Sequence, residues 1–210
     1  MKFADALNLS RGVTAIIGSG GKTTLLLHLA DELSKRGSVI VTTSTHIYPP
    51  MNMPVVEEIH AFEGCVCVGT PCENGKLTAP KQSFEELAAL ADYVLVEADG
   101  SKHLPLKAHL SYEPVIPRNA AQVICVVGAS GLNHPIEQTV HRFERFFELT
   151  GEKVATPRAV ALALDEENLA DRYVINQIDA NETAARELAQ LLRKPSILAS
   201  MQRGEMLCLY

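Results

Sequence analysis

The sequence lacks the features that are typical of membrane proteins and of nucleic-acid-binding proteins. No apolar run reaches the roughly 18 consecutive residues that span a bilayer, and residues 1–12 contain no sustained apolar core of the signal-peptide kind. Lysine and arginine number 19 against 25 acidic residues, and they form no dense basic cluster. We therefore expect neither a membrane nor a nucleic acid among the partners of this chain.

Cysteine is also scarce and does not indicate a disulfide framework. The five cysteines are odd in number and lie mostly inside apolar runs, so we interpret them as reduced thiols and expect a cytoplasmic protein. The 210 residues are 47% hydrophobic, which is sufficient for a proper core. We predict a single nucleotide-binding domain over residues 1–210, for the reasons that follow.

The segment Val13–Thr24, VTAIIGSGGKTT, joins an apolar strand to a glycine-rich turn and then to a helix. Glycines allow backbone N–H groups to approach a phosphate, and the helix N-terminus adds a positive dipole end. Lysine and hydroxyl side chains then reach the terminal phosphates and a Mg²⁺ ion. We therefore predict a phosphate-binding loop, in which Thr23 also binds the metal, formed by Gly18, Ser19, Gly20, Gly21, Lys22, Thr23 and Thr24.

The loop departs from the most common phosphate-loop spacing. That pattern requires a glycine at position 16, where this chain has Ile16, and the shorter form GxGGKTT resembles the loop of Mur ligases. The alternative is a glycine-rich turn that precedes a lysine by chance.

Polar residues follow the second predicted strand, Ser38–Thr43. The strand–helix–strand order predicts a right-handed unit with parallel strands, whose carboxyl ends border the ligand crevice. The run Thr43–His46 is therefore a candidate contact for the γ-phosphate, Mg²⁺ or water, with Thr43 and His46 as nucleotide-binding residues. The alternative is a turn capped by its own hydroxyl groups.

Acidic residues end the apolar strand Tyr93–Glu97. Carboxylates at such a strand tip can hold Mg²⁺ and polarise a nucleophile, so Glu97 and Asp99 are candidate catalytic and metal-binding residues. The spacing leaves their individual roles open, and a plain acidic turn is the alternative. Lys102 or Lys107, in the proline-rich segment that follows, could contact a ligand or simply be solvated.

The predicted strand Tyr173–Ile178 and the residue after it contain the sequence Asn176-Gln177-Ile178-Asp179, which resembles the guanine-reading element NKxD of GTPases. In that element the aspartate accepts from the base and the asparagine supports the phosphate loop. Asn176 and Asp179 are therefore candidate nucleotide-binding residues, although Gln177 replaces the usual lysine.

The remaining pattern predicts alternating strands and helices. We expect an α/β fold of three layers, similar to P-loop NTPases, in which helices cover both faces of a mostly parallel sheet. The other predicted elements are strands 65–69 and Gln122–Gly128, an edge strand Ser196–Ala199, a helix that begins at a capping box on Ser83, and helices Val140–Phe147, Pro157–Leu164 and Ala184–Leu192.

Three landmarks together resemble the YqeC proteins, a family assigned as accessory factors of selenium-dependent molybdenum hydroxylases. They are GSGGKTTLLLHLADEL with TTSTHIYPP, VLVEADGSKHLPLKAH with EPVIP, and VHRFERF with VINQID. The resemblance implies a P-loop protein that helps to mature or insert the selenium-containing molybdenum cofactor. The positions that carry over are Gly18–Thr24, Thr43–His46, Glu97–Asp99 and Lys102. Among them, Lys22 and Lys102 are further catalytic candidates.

Three functional hypotheses follow. The first is an NTP-hydrolysing accessory protein that binds Mg²⁺ with ATP or GTP. In this hypothesis Lys22 binds the phosphates, and the partner is a molybdenum hydroxylase or its cofactor-maturation proteins. The second is a small-molecule kinase or ATP-dependent ligase whose acceptor lies under the segment Lys102–His109. The third is a nucleotide-binding module without hydrolysis.

Overall fold

The computed structural model describes residues 2–209 and has a mixed α/β fold, in which helices flank a mostly parallel sheet, as the sequence predicted. The chain divides into two compact units. The first unit contains the residues up to 16 together with 25–100 and 115–123. The second contains 17–24, 101–114 and the residues from 124 onward. This division does not test the prediction of one domain over residues 1–210, which stays a prediction.

The first unit contains parallel strands beside a small antiparallel sheet. The elements are β1 Gly12–Gly18, β2 Val39–Thr43, β3 His46–Ile47, β4 Val55–Val56, β5 Cys65–Val68, β6 Thr70–Pro71, β7 Leu77–Thr78, β8 Tyr93–Glu97, α1 Phe3–Ala6, α2 Lys22–Leu33 and α3 Phe84–Leu90. The parallel strands pair in the order β1-β8-β2-β5-β4, and the small antiparallel sheet has the order β3-β7-β6. Strand β1 and helix α2 both have residues in each unit.

Apolar residues of these strands form the core of the first unit. Val13, Ile40 and Val94 lie in neighbouring strands and pack with Leu87 of α3. The register pairs Val13 and Ile40 with Val94, which places the three side chains at one level of the sheet. Their burial explains why continuous apolar runs form these strands.

Helix α3 begins as the sequence predicted. The Ser83 side chain accepts a hydrogen bond from the Glu86 N–H at 3.2 Å, and the Glu86 carboxylate accepts from the Ser83 N–H at 2.7 Å. This capping box satisfies two amide groups that would otherwise have no helical partner.

The second unit contains the remaining strands and helices. The elements are β9 Leu106–Lys107, β10 Ala120–Gly128, β11 Val140–His141, β12 Arg172–Asn176, β13 Ser196–Ser200, β14 Glu205–Leu209, α4 Ile136–Thr139, α5 Phe143–Thr150, α6 Pro157–Glu167 and α7 Glu182–Leu191. Four strands pair in the order β10-β12-β13-β14, of which the last is antiparallel to its neighbour. A separate pair is formed by β9 and β11. The first four residues of β10 belong to the first unit.

Two predictions in this unit were wrong. The predicted helix Val140–Phe147 begins only at Phe143, because Val140 and His141 pair with β9 and Arg142 has a left-handed backbone with φ of 66°. The predicted edge strand Ser196–Ala199 lies between β12 and β14. Within residues 2–209, no helix is both long and apolar enough to cross a bilayer.

Candidate functional site

The glycine-rich turn after β1 has a backbone that only glycine fits. Gly18, Gly20 and Gly21 have φ angles of 87°, 85° and 131°, in the region that side chains rarely adopt. A Cβ atom on Gly18 would lie 2.3 Å from the Val126 carbonyl oxygen, and one on Gly20 would lie 2.5 Å from the α-carbon of Gly128. The turn is therefore pressed closely against the backbone of β10.

Ser19 anchors this turn in the second unit. Its N–H donates to the Val126 carbonyl oxygen at 2.8 Å, and its hydroxyl donates to the Leu104 carbonyl oxygen. The side chain is buried, so both hydrogen bonds are shielded from water. The main chain around Ser19 is consequently fixed on two sides.

Lys22, the first residue of α2, folds back over the turn. Its Nζ donates to the Gly18 carbonyl oxygen at 2.8 Å and to the Ser101 hydroxyl at 3.2 Å, and only 4% of the residue is exposed. An ammonium group donates stronger hydrogen bonds to the oxygen atoms of a phosphate group than to neutral oxygen atoms. Thr23 is exposed and Thr24 is half-buried in the first helical turn.

Asn176 connects the glycine turn to the end of β13. Its Nδ2 donates to the Gly20 carbonyl oxygen at 2.7 Å, and its Oδ1 accepts from the Met201 N–H at 2.9 Å. Asn176 therefore contacts the glycine turn, and its role in nucleotide binding stays a prediction. The sequence reasoning missed Met201, whose only signal was its position directly after a strand.

Asp179 lies on the short 3₁₀ turn Ile178–Ala180 that follows β12. Its Oδ2 accepts from the Ser200 hydroxyl at 2.9 Å, and its Oδ1 lies 3.8 Å from the Arg203 guanidinium group. Ser200 is buried whereas 39% of the Asp179 side chain is exposed. The sequence reasoning did not identify Ser200.

Gln177 lies between Asn176 and Asp179 in the sequence and has a left-handed backbone conformation, with φ of 61°. Its Oε1 accepts from the Ser130 hydroxyl at 2.6 Å. A Cβ atom on Gly128 would lie 2.5 Å from the same Oε1, so the glutamine side chain lies against the turn that follows β10.

In the first unit, Thr43 and Glu97 lie opposite each other at the ends of β2 and β8. The Thr43 hydroxyl donates to the Glu97 carbonyl oxygen at 2.8 Å and accepts from the Thr45 N–H at 2.9 Å. The hydroxyl therefore makes hydrogen bonds both to β8 and within its own turn. His46 is exposed in β3 opposite Thr78, while Glu97 and Asp99 are buried. Their roles with phosphate or Mg²⁺ stay predictions.

The two candidate lysines have different surroundings. Lys102 is exposed, with φ of 47°. Lys107 is buried, and its Nζ lies 2.7 Å from the Glu113 carboxylate, which also accepts from the Arg142 Nε at 2.9 Å. Burial opposes ionisation of Glu113, but these two cationic partners outweigh it and hold the pKa of Glu113 below its usual range.

His141 lies near this group of charges. Burial lowers its pKa, and the positive charges of Lys107 and Arg142 lower the pKa further. The neutral imidazole is therefore the form that the folded protein favours.

The predicted Mg²⁺ ion would not be held by protein side chains alone. In the part of the chain that the structure describes, no group of three or more histidine, cysteine, aspartate or glutamate side chains could hold a metal ion. Mg²⁺ in phosphate loops instead takes oxygen atoms from a hydroxyl group, from water and from the nucleotide. Thr23 can supply that hydroxyl.

Comparison with known proteins places the chain in a family. The model of the family described as YqeC protein matches residues 14–144. "Uncharacterized protein YqeC" of Escherichia coli (strain K12) is 35% identical over 159 residues, which cover 66% of this chain and 60% of the relative. No solved structure matches the chain. The family match covers more than half of the chain, and the chain therefore belongs to the YqeC family.

Proposed function

We propose that this protein binds a Mg²⁺–nucleoside triphosphate on the turn Gly18–Thr24 and hydrolyses it. The observation that carries the proposal is the glycine turn itself, in which three glycines have positive φ and lead directly into a lysine at the start of α2. Such a turn presents backbone N–H groups that can bind phosphate oxygens.

In the proposed complex the chain binds and orients the phosphates. The amides of the turn and of the first helical turn donate to phosphate oxygens. Lys22 leaves the Gly18 carbonyl oxygen and the Ser101 hydroxyl and donates to the terminal phosphates. Thr23 supplies a ligand to Mg²⁺, which neutralises the charge that develops on the phosphates.

We also propose that this activity serves the maturation of a selenium- and molybdenum-containing hydroxylase, in the cytoplasm. The support is the resemblance of the sequence landmarks to the YqeC proteins, together with membership of that family.

The experiment is a comparison of Lys22→Ala with Lys35→Ala, an exposed lysine of the first unit that pairs with Asp31. Affinity is measured with fluorescent Mg²⁺–nucleotides and turnover by phosphate release. A charge-assisted hydrogen bond is worth about 1.5–3 kcal/mol, so Lys22→Ala should weaken affinity about 10- to 100-fold while Lys35→Ala matches the wild type. Unchanged affinity and turnover in Lys22→Ala would refute the proposal.

A parallel measurement addresses the acidic residues of β8. If Glu97 and Asp99 hold Mg²⁺, Glu97→Gln and Asp99→Asn should raise the Mg²⁺ concentration that half-maximal turnover requires. An unchanged Mg²⁺ dependence in both variants would remove these residues from the metal site. Tight binding without turnover in the wild type would favour the non-hydrolysing module.

A second candidate is a small-molecule kinase or ATP-dependent ligase. It is favoured by the segment Ser101–Leu104, which contacts the glycine turn through Lys22 and Ser19 and could cover an acceptor. Phosphate release that no metabolite or cofactor acceptor accelerates would count against it.

A further inference from the structure

A charged cluster of the second unit contains one residue from each of three sequence landmarks, and the proposed hydrolysis does not use it. Lys107 belongs to SKHLPLKAH, Glu113 to EPVIP and Arg142 to VHRFERF. Strands β9 and β11 bring two of them together, because Lys107 pairs with His141, the residue before Arg142. The Glu113 carboxylate joins both cations: its Oε2 lies 2.7 Å from the Lys107 Nζ, and its Oε1 lies 2.9 Å from the Arg142 Nε.

The charges of this cluster leave Arg142 incompletely balanced. Glu113 carries a single negative charge and shares it between two cations. A second carboxylate near Arg142, that of Glu144, is exposed in the first turn of α5, so water and salt screen it. His141 is favoured in its neutral form and adds no charge. An anion beside Arg142 would therefore complete the balance of charge.

Arg142 also has hydrogen-bond donors that the protein does not use. A guanidinium group has five N–H donors in a fixed plane and stays charged. Its Nε donates to Glu113, whereas no group within residues 2–209 accepts a hydrogen bond from its two Nη groups. One third of the side chain is exposed, at 33%. The two Nη groups can donate in parallel to two oxygen atoms of a carboxylate or phosphate group.

The surroundings of Arg142 hold it in place and add an apolar surface. Its backbone is left-handed, with φ of 66° and ψ of 49°, a conformation that costs free energy for any residue with a Cβ atom. The ring centroid of Tyr112 lies 5.9 Å from the Arg142 Cζ. Tyr112 is 67% exposed, so most of its ring is open to a ligand bound at the guanidinium group.

We propose that Arg142 and Tyr112 form a binding site for a small-molecule acid that carries a ring. The anionic group of the ligand accepts hydrogen bonds from the two Nη groups of Arg142, and its ring packs on Tyr112. Glu113 holds the guanidinium group through Nε and leaves the Nη groups to the ligand. The anionic group is an oxyanion, either a carboxylate or a phosphate monoester. This site does not depend on nucleotide binding at the glycine turn.

The experiment titrates the isotope-labelled full chain with four probes and follows its backbone amide signals by NMR. Benzoate and phenyl phosphate carry a ring, whereas acetate and inorganic phosphate do not. The amides of residues 112–113 and 141–143 should shift in a saturable way. Packing on an aromatic ring should make each ring-bearing probe bind about 2- to 10-fold more tightly than its partner without a ring. The stronger of benzoate and phenyl phosphate identifies the oxyanion.

Variants of Arg142 test the paired donors. Arg142→Gln should weaken the affinity for the ring-bearing probes about 10- to 100-fold, because hydrogen bonds to a charged group are lost. Arg142→Lys retains the charge without the planar pair of donors and should also bind all four probes more weakly than the wild type. The matched control is Arg186→Gln, because Arg186 already binds Glu182 through both Nε and Nη2, and it should match the wild type.

Variants of Tyr112 test the ring surface separately from the charge. Tyr112→Ala should reduce the affinity for benzoate to that for acetate, while the affinity for acetate itself stays unchanged. Tyr112→Phe should retain the preference for ring-bearing probes. A residue with only a structural role would instead change the affinity for all four probes equally. Because Tyr112 is exposed, these variants should fold even where an Arg142 variant does not.

The outcomes separate this site from the proposed nucleotide site. Phosphate probes can also bind the glycine turn, and the amides of residues 18–24 report that binding independently. Shifts at residues 18–24 alone, or no saturable shift at residues 112–113 and 141–143 with any probe, would overturn the proposal. Wild-type affinity in Arg142→Lys, or an unchanged preference for ring-bearing probes in Tyr112→Ala, would overturn it as well. None of these results affects the test of nucleotide binding by Lys22→Ala.

Discussion

Gly20 offers the sharpest test of how the glycine turn is built. Its φ of 85° is unfavourable for any residue with a side chain, and a Cβ atom would lie 2.5 Å from the α-carbon of Gly128, 2.6 Å from the Gly128 nitrogen and 2.9 Å from the Pro105 carbonyl oxygen. All three neighbours are backbone atoms, which cannot rotate away as a side chain does. Gly20→Ala should therefore cost free energy of unfolding through both conformation and overlap.

The two contributions can be estimated separately. A left-handed backbone costs a residue with a Cβ about 1–2 kcal/mol, and overpacking costs about 1–3 kcal/mol more. Gly20→Ala should thus lower the free energy of unfolding by about 2–5 kcal/mol, a large part of the roughly 5–15 kcal/mol that a typical domain has.

Gly151→Ala is the matched control, because Gly151 ends α5 with φ of 71° and a Cβ atom there would meet nothing within 4 Å. It should cost about 1–2 kcal/mol, the conformational contribution alone. Urea unfolding gives the free energy of unfolding of both variants. Circular dichroism is the suitable probe, because the chain contains no tryptophan whose fluorescence would report unfolding. Equal losses in the two variants would refute the close approach of the turn to Gly128.

Two further predictions concern the buried charges of the second unit. Because the pKa of His141 is lowered on folding, the unfolded chain binds more protons below about pH 6.5, the ordinary histidine value. The free energy of unfolding should therefore fall as the pH drops from about 6.5 toward the pKa of His141 in the folded protein. His141→Asn should make the free energy of unfolding less dependent on pH in this range. Glu113→Gln should cost about 3–5 kcal/mol of the free energy of unfolding, because it removes the negative charge opposite the buried Lys107 ammonium group. Adding Lys107→Met should recover part of the loss in urea unfolding, and no recovery would contradict the ion-pair explanation.

Local patterns predicted much of the fold. The capping box at Ser83, the apolar strand Tyr93–Glu97 and the strand–turn–helix around Gly18 were all predicted from neighbouring residues, because their determinants lie within a few positions of one another. Arg142 was different. A non-glycine residue with φ of 66° has no sequence signature, so the predicted helix extended over Val140 and His141, which are in fact a strand.

The contacts that shape the candidate site were harder to predict because they join distant parts of the chain. Asn176 and Gly20 are 156 residues apart, and Asp179 and Ser200 are 21 apart. The pairing order of β10, β12 and β13 decides which polar strand ends become neighbours, and sequence order alone does not specify it. The resemblance to NKxD therefore found Asn176 and Asp179 but not Ser200 and Met201.

The same contacts explain the departure of Gln177 from that element. A lysine can only donate hydrogen bonds, whereas the Gln177 Oε1 accepts from the Ser130 hydroxyl at 2.6 Å. The space between Gly128 and Gln177 is so small that a Cβ atom on Gly128 would lie 2.5 Å from this oxygen atom. The glutamine is thus fitted to the turn after β10, while the carboxylate of Asp179 retains its own support from Ser200. A lysine at position 177 would be unable to accept the hydrogen bond from the Ser130 hydroxyl, so the contacts of this turn favour glutamine there.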